Sequence, residues 1–408
     1  MEYISTTFAH GNGPYSRAID LALAVGKKLG RGYNTSQIIV PLVYGDRQKR
    51  IMKEDFGHII DQDPDLFLLD PFYGDVLNQI LFPAKDYQTY LENLLKNYSA
   101  LEEKLRNHLA GTLTLQRFNG EEVKLNGNDI NIEVSHNPKV VTGYKNSFYT
   151  TIGYFSEIMY KAALKPELGF DYSILKEVEV KIANRIEDDK TVHFMPEPFV
   201  FSYDEKRTRW KNEIFTPPFI HVPKKNNEEV EKGMYVMVTG LDGLEGLFQG
   251  VHDFNMRLYC PPFVKDLEGA DNTHTPNFIS NPNILCQFGR TGWSTVWLSH
   301  MTKTPLIAPA YARVKGDDPE IYFNEKSIEK LGLAVVFDGV RNPKEVLKEA
   351  LSDSFKSNLI NVNTKLVENY QTLDGMNYTA NAIVSYLTGG EEALSKYRKV
   401  KPVLNGSL

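Results

Sequence analysis

The stretch Asn283-Ile284-Leu285-Cys286-Gln287-Phe288-Gly289-Arg290-Thr291-Gly292-Trp293-Ser294-Thr295 decides the fold. Its first half is an apolar run of strand length. Its second half is a glycine-containing turn that leads into a helical pattern. A strand, a glycine turn and a helix start bring free backbone N–H groups and the positive end of a helix dipole to one point. Glycine lets a ligand approach that backbone closely, because it has no Cβ. The same order recurs where Met234–Val238 runs into Thr239-Gly240-Leu241-Asp242-Gly243-Leu244-Glu245-Gly246. It occurs again at the start of the chain, where Tyr3–Phe8 leads to His10-Gly11-Asn12-Gly13. There Pro14 stands at a first helical position, and Ala18, Leu21, Ala22 and Val25 follow at helical spacing. None of the three loops closes with Gly-Lys-Ser or Gly-Lys-Thr, and none has the dinucleotide spacing with its distant acidic residue. Taken singly, each fits a tight turn between strand and helix. Placed at the starts of two α/β halves, they predict two Rossmann-like lobes.

The rest of the chain extends this pattern. Ile38–Tyr44, interrupted by Pro41, and Leu66–Leu69, which ends in Asp70-Pro71-Phe72-Tyr73-Gly74-Asp75, read as further strands of the first half. Arg257–Cys260, Thr304–Ala308 and Ala334–Phe337 do so in the second. Strands alternating with helical stretches favour a parallel sheet. Tyr87, Leu91, Leu94, Tyr98, Leu101 and Leu105 form the stripe of a long amphipathic helix. The stripe suits packing on its own domain better than a coiled-coil dimer contact, because it spans only three heptads. Residues 111–147 read as short strands and turns, and Tyr149–Leu164 as helical. Thr191–Tyr203 is strand-like, but Pro196 and Pro198 argue against a central strand. The charged stretch 224–233 lacks apolar periodicity and reads as the connector between domains. Pro343–Phe355 is helical, and residues 363–387 form closing helices broken near Asp374-Gly375. The expected division is a first lobe over 1–225, with extra strands near 111–222, and a second over 234–408. The closing helices 363–387 are free to pack back on the first lobe.

Composition narrows the function classes. A chain of 408 residues accommodates two or three domains at roughly 150 residues each. Lys plus Arg is 46 and Asp plus Glu is 52, a net charge of −6, which argues against general nucleic-acid binding. Two cysteines, Cys260 and Cys286, make no disulfide scaffold, so a reducing cytoplasmic compartment is expected. No signal-like start and no apolar run of bilayer length is present, and peripheral membrane contact stays open.

Between residues 290 and 332 the sequence resembles a known family. Arg290-Thr291-Gly292-Trp293-Ser294-Thr295-Val296, then Pro305, Pro309, Tyr322-Phe323-Asn324 and Leu331-Gly332, resemble the donor-binding region of GT-B glycosyltransferases. The likeness is to the inverting N-acetylglucosaminyltransferase of peptidoglycan synthesis and related UDP-sugar transferases. The loop Gly11-Asn12-Gly13, with Arg17 on the helix after it, is similar to the family's acceptor-side loop. The resemblance implies an α/β protein of two Rossmann-like lobes facing a central cleft, closed by C-terminal helices. It implies a nucleoside-diphosphate-sugar donor held by the second lobe, with the amides of Gly292, Trp293 and Ser294 on the diphosphate. The hydroxyls of Ser294 and Thr295 and the charge of Arg290 would assist. Thr291, Gly240, Glu320 and Asn324 complete the implied donor set. No cofactor and no metal are expected, and Asp61-Gln62-Asp63 matches a metal-binding pattern only formally. The sequence departs from the family at Leu298, where a ribose-binding Glu is usual; His300 and Glu325 are the nearby substitutes. It departs again at Glu320-Ile321, where two Gln are usual, and at Pro14, where a His is usual.

Transfer with inversion needs a base for the acceptor hydroxyl. The candidates are His10 beside the first glycine loop, and Asp70 and Asp75 after a strand of the first lobe. Asp70 before Pro71 also suits a turn. His193, His221, His252 and His274 have no metal-binding spacing and read as structural or exposed. The expected activity is hexosyl transfer from a nucleotide sugar to an unidentified acceptor, whether glycan, lipid-linked or small molecule. A nucleotide-sugar epimerase of the same architecture and a non-catalytic GT-B-shaped partner subunit are the alternatives, and a homodimer is left open.

Overall fold

The computed structural model describes residues 2–8, 12–30, 36–81, 86–151, 153–198, 212–238, 244–265, 267–313 and 318–404. The chain forms two compact units. The first comprises Met1–Pro196, Arg207–Thr216 and Met376–Lys401; the second comprises Glu197–Lys206, Pro217–Gly375 and Pro402–Leu408. The charged stretch 224–233 lies within the second unit. There Asn281 Nδ2 donates to Asn226 Oδ1 and to the Glu228 carbonyl, both at 2.9 Å. Its lack of periodicity reflects this polar fastening.

The first unit is built on nine strands: β1 (Glu2–Phe8), β2 (Ser36–Pro41), β3 (Phe67–Asp70), β4 (Thr112–Gln116), β5 (Glu122–Asn126), β6 (Ile132–His136), β7 (Asn146–Thr150), β8 (Val192–Pro196) and β9 (Glu213–Thr216). Their order is β5-β4-β3-β2-β1-β6-β7-β8-β9. All neighbours from β3 to β9 are parallel, and β4 and β5 add an antiparallel hairpin at the β3 edge. Between them run α1 (Asn12–Leu29), α2 (Gly45–Gln62), α3 (Pro71–Leu81), α4 (Tyr87–Leu109), α5 (Phe155–Ala163), α6 (Tyr172–Val178) and α7 (Asn184–Asp188). The α4 stripe is buried in its own unit, from Tyr87 to Leu109. Asp61 and Gln62 are the exposed end of α2.

Two readings are corrected here. β8 is an inner strand, paired with β7 on one side and β9 on the other. Pro196 is tolerated because it is the last residue of the strand, where a missing N–H costs little. In Tyr149–Leu164, the first two residues complete β7, and the helix begins only at Phe155.

A charged network occupies the middle of this sheet. Glu133 on β6 is fully buried. It accepts from Thr7 Oγ1 at 2.7 Å, Thr142 Oγ1 at 2.7 Å, Ser147 Oγ and Lys190 Nζ at 3.1 Å. Lys190 is equally buried and also meets Asp189 Oδ2 at 3.1 Å. Burial alone would lower the lysine's pKa; the two carboxylates outweigh it, and the net shift is upward.

The second unit holds β10 (Gly233–Val236), β11 (Arg257–Tyr259), β12 (Ile284–Phe288), β13 (Leu306–Pro309) and β14 (Ala334–Phe337), all parallel, in the order β11-β10-β12-β13-β14. Its helices are α8 (Glu245–Gly250), α9 (Trp293–Thr302), α10 (Pro319–Leu331), α11 (Pro343–Ala350) and α12 (Asp353–Tyr370). The strands are near-continuous apolar runs, as expected where both faces of a parallel sheet are covered. Met234, Val236, Cys286, Phe288, Ile307 and Phe337 form the core with Leu247 and Leu347 of the helices. The chain then enters α13 (Gly375–Gly389) and α14 (Ser395–Arg398). Residues 376–401 belong to the first unit, where Tyr386 meets Phe148 with ring centroids 5.6 Å apart. Among the described residues no helix is long and apolar enough to cross a membrane.

Replacing Lys190 by Met should destabilise the first unit by about 3–5 kcal/mol, because it leaves a buried carboxylate without its counter-charge. Urea unfolding of wild type and variant, followed by far-UV circular dichroism, measures this. A loss below about 1 kcal/mol would mean that Glu133 takes up a proton at little cost.

Candidate functional site

In open α/β sheets, ligands bind outside the carboxyl ends of the strands, at the point where strand order reverses. In the second unit β10 is flanked by β11 and β12, so the reversal lies beside β12. β12 leads through Gly289-Arg290-Thr291 to Gly292, the N-cap of α9. Gly292 has φ −70° and ψ 136°, a conformation open to any residue, and a Cβ added to it would meet nothing within 4 Å. Neither backbone geometry nor packing therefore demands glycine here. The amides of Thr295 and Val296 already turn back to the Gly292 carbonyl, at 2.9 and 3.1 Å. Those of Trp293 and Ser294 precede the first intrahelical bond, and no side chain caps them. No acidic residue stands in the first turn.

The loop is held from α10. The Trp293 indole is buried, and its Nε1 donates to Asn324 Oδ1 at 2.9 Å. Asn324 Nδ2 donates to the Thr291 carbonyl at 3.0 Å and lies 3.4 Å from Glu320 Oε1. The buried Thr291 sets its hydroxyl 3.5 Å from the Ile321 carbonyl. Asn324 and Thr291 thus shape the loop, and both ends of the Asn324 carboxamide have partners within it. Arg290 is exposed, and Ser294, Thr295 and Glu320 are half-buried. Gly240 lies outside the described residues.

His300 and Glu325 do not replace the missing ribose carboxylate. His300 is fully buried, with Nδ1 2.6 Å from Asn363 Oδ1 on α12. Burial pushes its pKa down to about 4, against a smaller opposing effect of Asn363. Glu325 is buried, accepts from the Tyr311 amide and meets Lys326 Nζ at 3.0 Å. Leu298 packs beside Tyr235, Tyr259 and Phe278.

In the first unit the reversal lies at β1, between β2 and β6. His10 and Gly11 lie outside the described residues. Asn12 opens α1, a Cβ on Gly13 would meet open space, and Arg17 pairs with Asp20 at 3.2 Å. Asp70 is fully buried at the end of β3. Its Oδ1 accepts from the Tyr73 amide at 2.9 Å, and its Oδ2 lies 2.9 Å from Nε2 of His108. Both Asp70 oxygens are therefore engaged, and neither meets solvent. Asp75 sits on the exposed face of α3. Asp70 is thus enclosed, whereas Asp75 is exposed. Three histidines, His58, His108 and His136, went unread in the sequence, and His58 lies exposed on α2. His108 lies in the last turn of α4, where a basic side chain reads as a partner of the helix dipole. His136 ends β6, buried, with Nδ1 2.9 Å from Thr150 Oγ1. Burial, with Arg17 and Lys139 nearby, pushes its pKa down to about 3.

The fold recurs in known proteins. The structure aligns with CalG4, the calicheamicin glycosyltransferase, at TM-score 0.57 and 10% identity, covering 96% of this chain and 99% of that one. It aligns with SnogD, a glycosyltransferase from Streptomyces nogalater, at TM-score 0.55 and 12% identity, covering 95% and 100%. It aligns with UGT89C1 of Arabidopsis thaliana at TM-score 0.53 and 12% identity, covering 94% and 98%. The chain therefore has the GT-B glycosyltransferase fold, and the match spans almost its whole length. These neighbours do not single out the peptidoglycan enzyme. No protein-family model matches the sequence, and no curated protein matches it in sequence.

His300 ties stability to pH. The unfolded chain takes up a proton on this side chain near pH 6.5, the folded chain only near 4. Between these values the unfolded state binds more protons, so the contribution of His300 falls as pH falls. The melting-temperature gap between wild type and His300→Gln should shrink steadily from pH 6.5 to 4. A gap independent of pH would show that His300 is not held neutral.

Proposed function

We propose that this chain is a glycosyltransferase that moves a sugar from a UDP-sugar to an acceptor hydroxyl by direct displacement, with inversion and without a metal. The observation that carries the reading is Gly292. It keeps the space in front of the α9 amides open in a fold shared with sugar transferases, and neither conformation nor packing requires a glycine there. One structural neighbour, UGT89C1, is complexed with UDP-L-rhamnose, and another, SsfS6, with thymidine diphosphate. Applied to this chain, the Trp293 and Ser294 amides receive the diphosphate, aided by the α9 dipole, the Ser294 and Thr295 hydroxyls and Arg290. The acceptor oxygen bonds to the anomeric carbon from the face opposite the diphosphate. The bond to the diphosphate oxygen breaks, and its electron pair leaves with UDP. The amides act on the charge that develops on this leaving group, where preorganised donors lower a barrier most. Glu320, in the first turn of α10 and one turn before Asn324, would accept from sugar hydroxyls.

Thermal shift against UDP, TDP, GDP and ADP tests the reading. UDP at 100 times its dissociation constant should stabilise the protein by about 2.7 kcal/mol. Gly292→Trp should fold, because its side chain enters open space, and should lose the response. Stabilisation by none of the four nucleotides would sink the proposal.

A further inference from the structure

We infer that Glu197 is a pH-operated latch on residues 402–404 of the second unit, closed while its carboxyl is protonated and opened by its ionisation. The chain enters the second unit at Glu197, leaves it after Gly375 and re-enters it at Pro402. Three segments of that unit meet at the one carboxyl group. The Val403 amide donates to Oε1 at 2.9 Å and lies 3.3 Å from Oε2. The Leu404 amide donates to Oε1 at 3.1 Å. The hydroxyl of Tyr370, the last residue of α12, bonds to Oε2. Glu197 is itself tied down through its neighbour, since the Pro198 carbonyl accepts from Trp297 Nε1 of α9 at 3.1 Å. Two partners of the latch are therefore anchored on helices. Residues 402–404 lie in no helix or strand, so they are the part that can move.

Glu197 is fully buried. Among the described residues no lysine, arginine or histidine pairs with it, and the Tyr370 phenol and the two amides bring no counter-charge. A carboxyl taken out of water without a counter-charge favours its protonated form. Burial outweighs the opposing hydrogen bonds from Tyr370, Leu404 and Val403, and the pKa is pushed up from 4.5 to about 7. With the proton on Oε2 and directed at the Tyr370 oxygen, Oε1 keeps both amides, and every polar group of the latch is satisfied. Departure of 402–404 lets water reach the carboxyl, which returns to its ordinary range. Between the two values the open form binds fewer protons than the closed form, so rising pH favours opening. The latch is tightest below 4.5, and the loss is complete once the pH has passed about 7.

Hydrogen exchange of the full chain tests this, read by mass spectrometry with fragmentation that resolves Val403 and Leu404. Rates are corrected for intrinsic exchange at each pH, and the amides of β12 and β13 serve as the internal reference. Protection of Val403 and Leu404 should fall by roughly 70-fold from pH 5 to pH 8. Glu197→Gln is a neutral copy of the protonated carboxyl: its oxygen accepts the amides, and its NH₂ donates to Tyr370. Its protection should be the same at both pH values. A wild-type change below about threefold overturns the inference, and so does an equal fall in Glu197→Gln. Should Glu197→Gln leave the segment unprotected at both pH values, the wild-type carboxyl decides. In protein labelled with ¹³C-glutamate, one side-chain carboxyl resonance, absent from the variant, should titrate near 7. Titration of that resonance near 4.5 overturns the inference.

Discussion

The first unit is organised around a carboxylate that cannot reach water. Glu133 sits in the middle of the nine-stranded sheet, and its oxygens are answered from β1 by Thr7, from β7 by Ser147, from the segment before β7 by Thr142, and from two residues before β8 by Lys190. A slip of one residue in β6 would carry Glu133 to the opposite face and leave Lys190 buried alone. The pair therefore specifies register across the middle of the sheet, whatever its net contribution to stability. Register in turn sets where the loops after β1 and β6 emerge. The network also extends toward the edge. Because Thr7 donates to Glu133, the Tyr73 hydroxyl must donate to Thr7, at 2.5 Å. The amide of the same Tyr73 caps Asp70. The buried charge and the Asp70–His108 pair thus share one tyrosine, which fixes the first turn of α3 from both its ends.

The second unit solves the same architectural problem differently. Its five strands are almost wholly apolar, so polar bonds in the core specify little. Specificity is concentrated at the β12–α9 turn, where one asparagine from α10 accepts from an indole and donates to a carbonyl. Breaking either bond would strand a buried polar group, at a cost of about 1–3 kcal/mol. The loop is rigid because its largest side chain, Trp293, points inward. The Gly292 side, by contrast, is left without atoms. A rigid rim beside an unfilled space is what a preorganised site requires.

Much of this was legible in the sequence because it follows from local pattern. The strand-then-helix order of β1 and α1 and of β10 and α8, the α4 stripe and the helix break near Asp374-Gly375 all appear where local pattern placed them. The errors arise where tertiary context decides. Pro196 argued against an inner strand, but position within the strand mattered more than residue type. Asp70 looked like either a turn former or a base, and it is neither in full, since its second oxygen is claimed by a residue 38 positions away. His108 carried no signal, because a basic residue in the last turn of a helix is explained by the dipole alone. Asn324 had the right place for a site residue, but its partners could be known only from the crossing of α9 and α10.

The acidic balance of the chain bears on how an anionic donor could be held. At a net charge of −6, the protein as a whole repels a nucleoside diphosphate. Attraction has to be generated within a few ångströms, where amides and a helix dipole outweigh screened surface charge. The β12–α9 turn meets this condition by subtraction. No acidic residue stands in the first turn of α9, and Glu320 of α10 lies beside the Asn324 amide group. Arg290 is exposed and adds charge without needing to be buried. A site made of backbone donors has a further consequence for specificity. Amides recognise the diphosphate alone and are indifferent to base and sugar, so discrimination among donors must come from the side chains around the turn. Those are the positions where this sequence departs from the family it resembles: Leu298 lies within an aromatic cluster, and Ile321 follows Glu320 on α10. Under the proposed function, a diphosphate grip made of amides and a sugar choice made by side chains would be separable, and change at the second would not disturb the first.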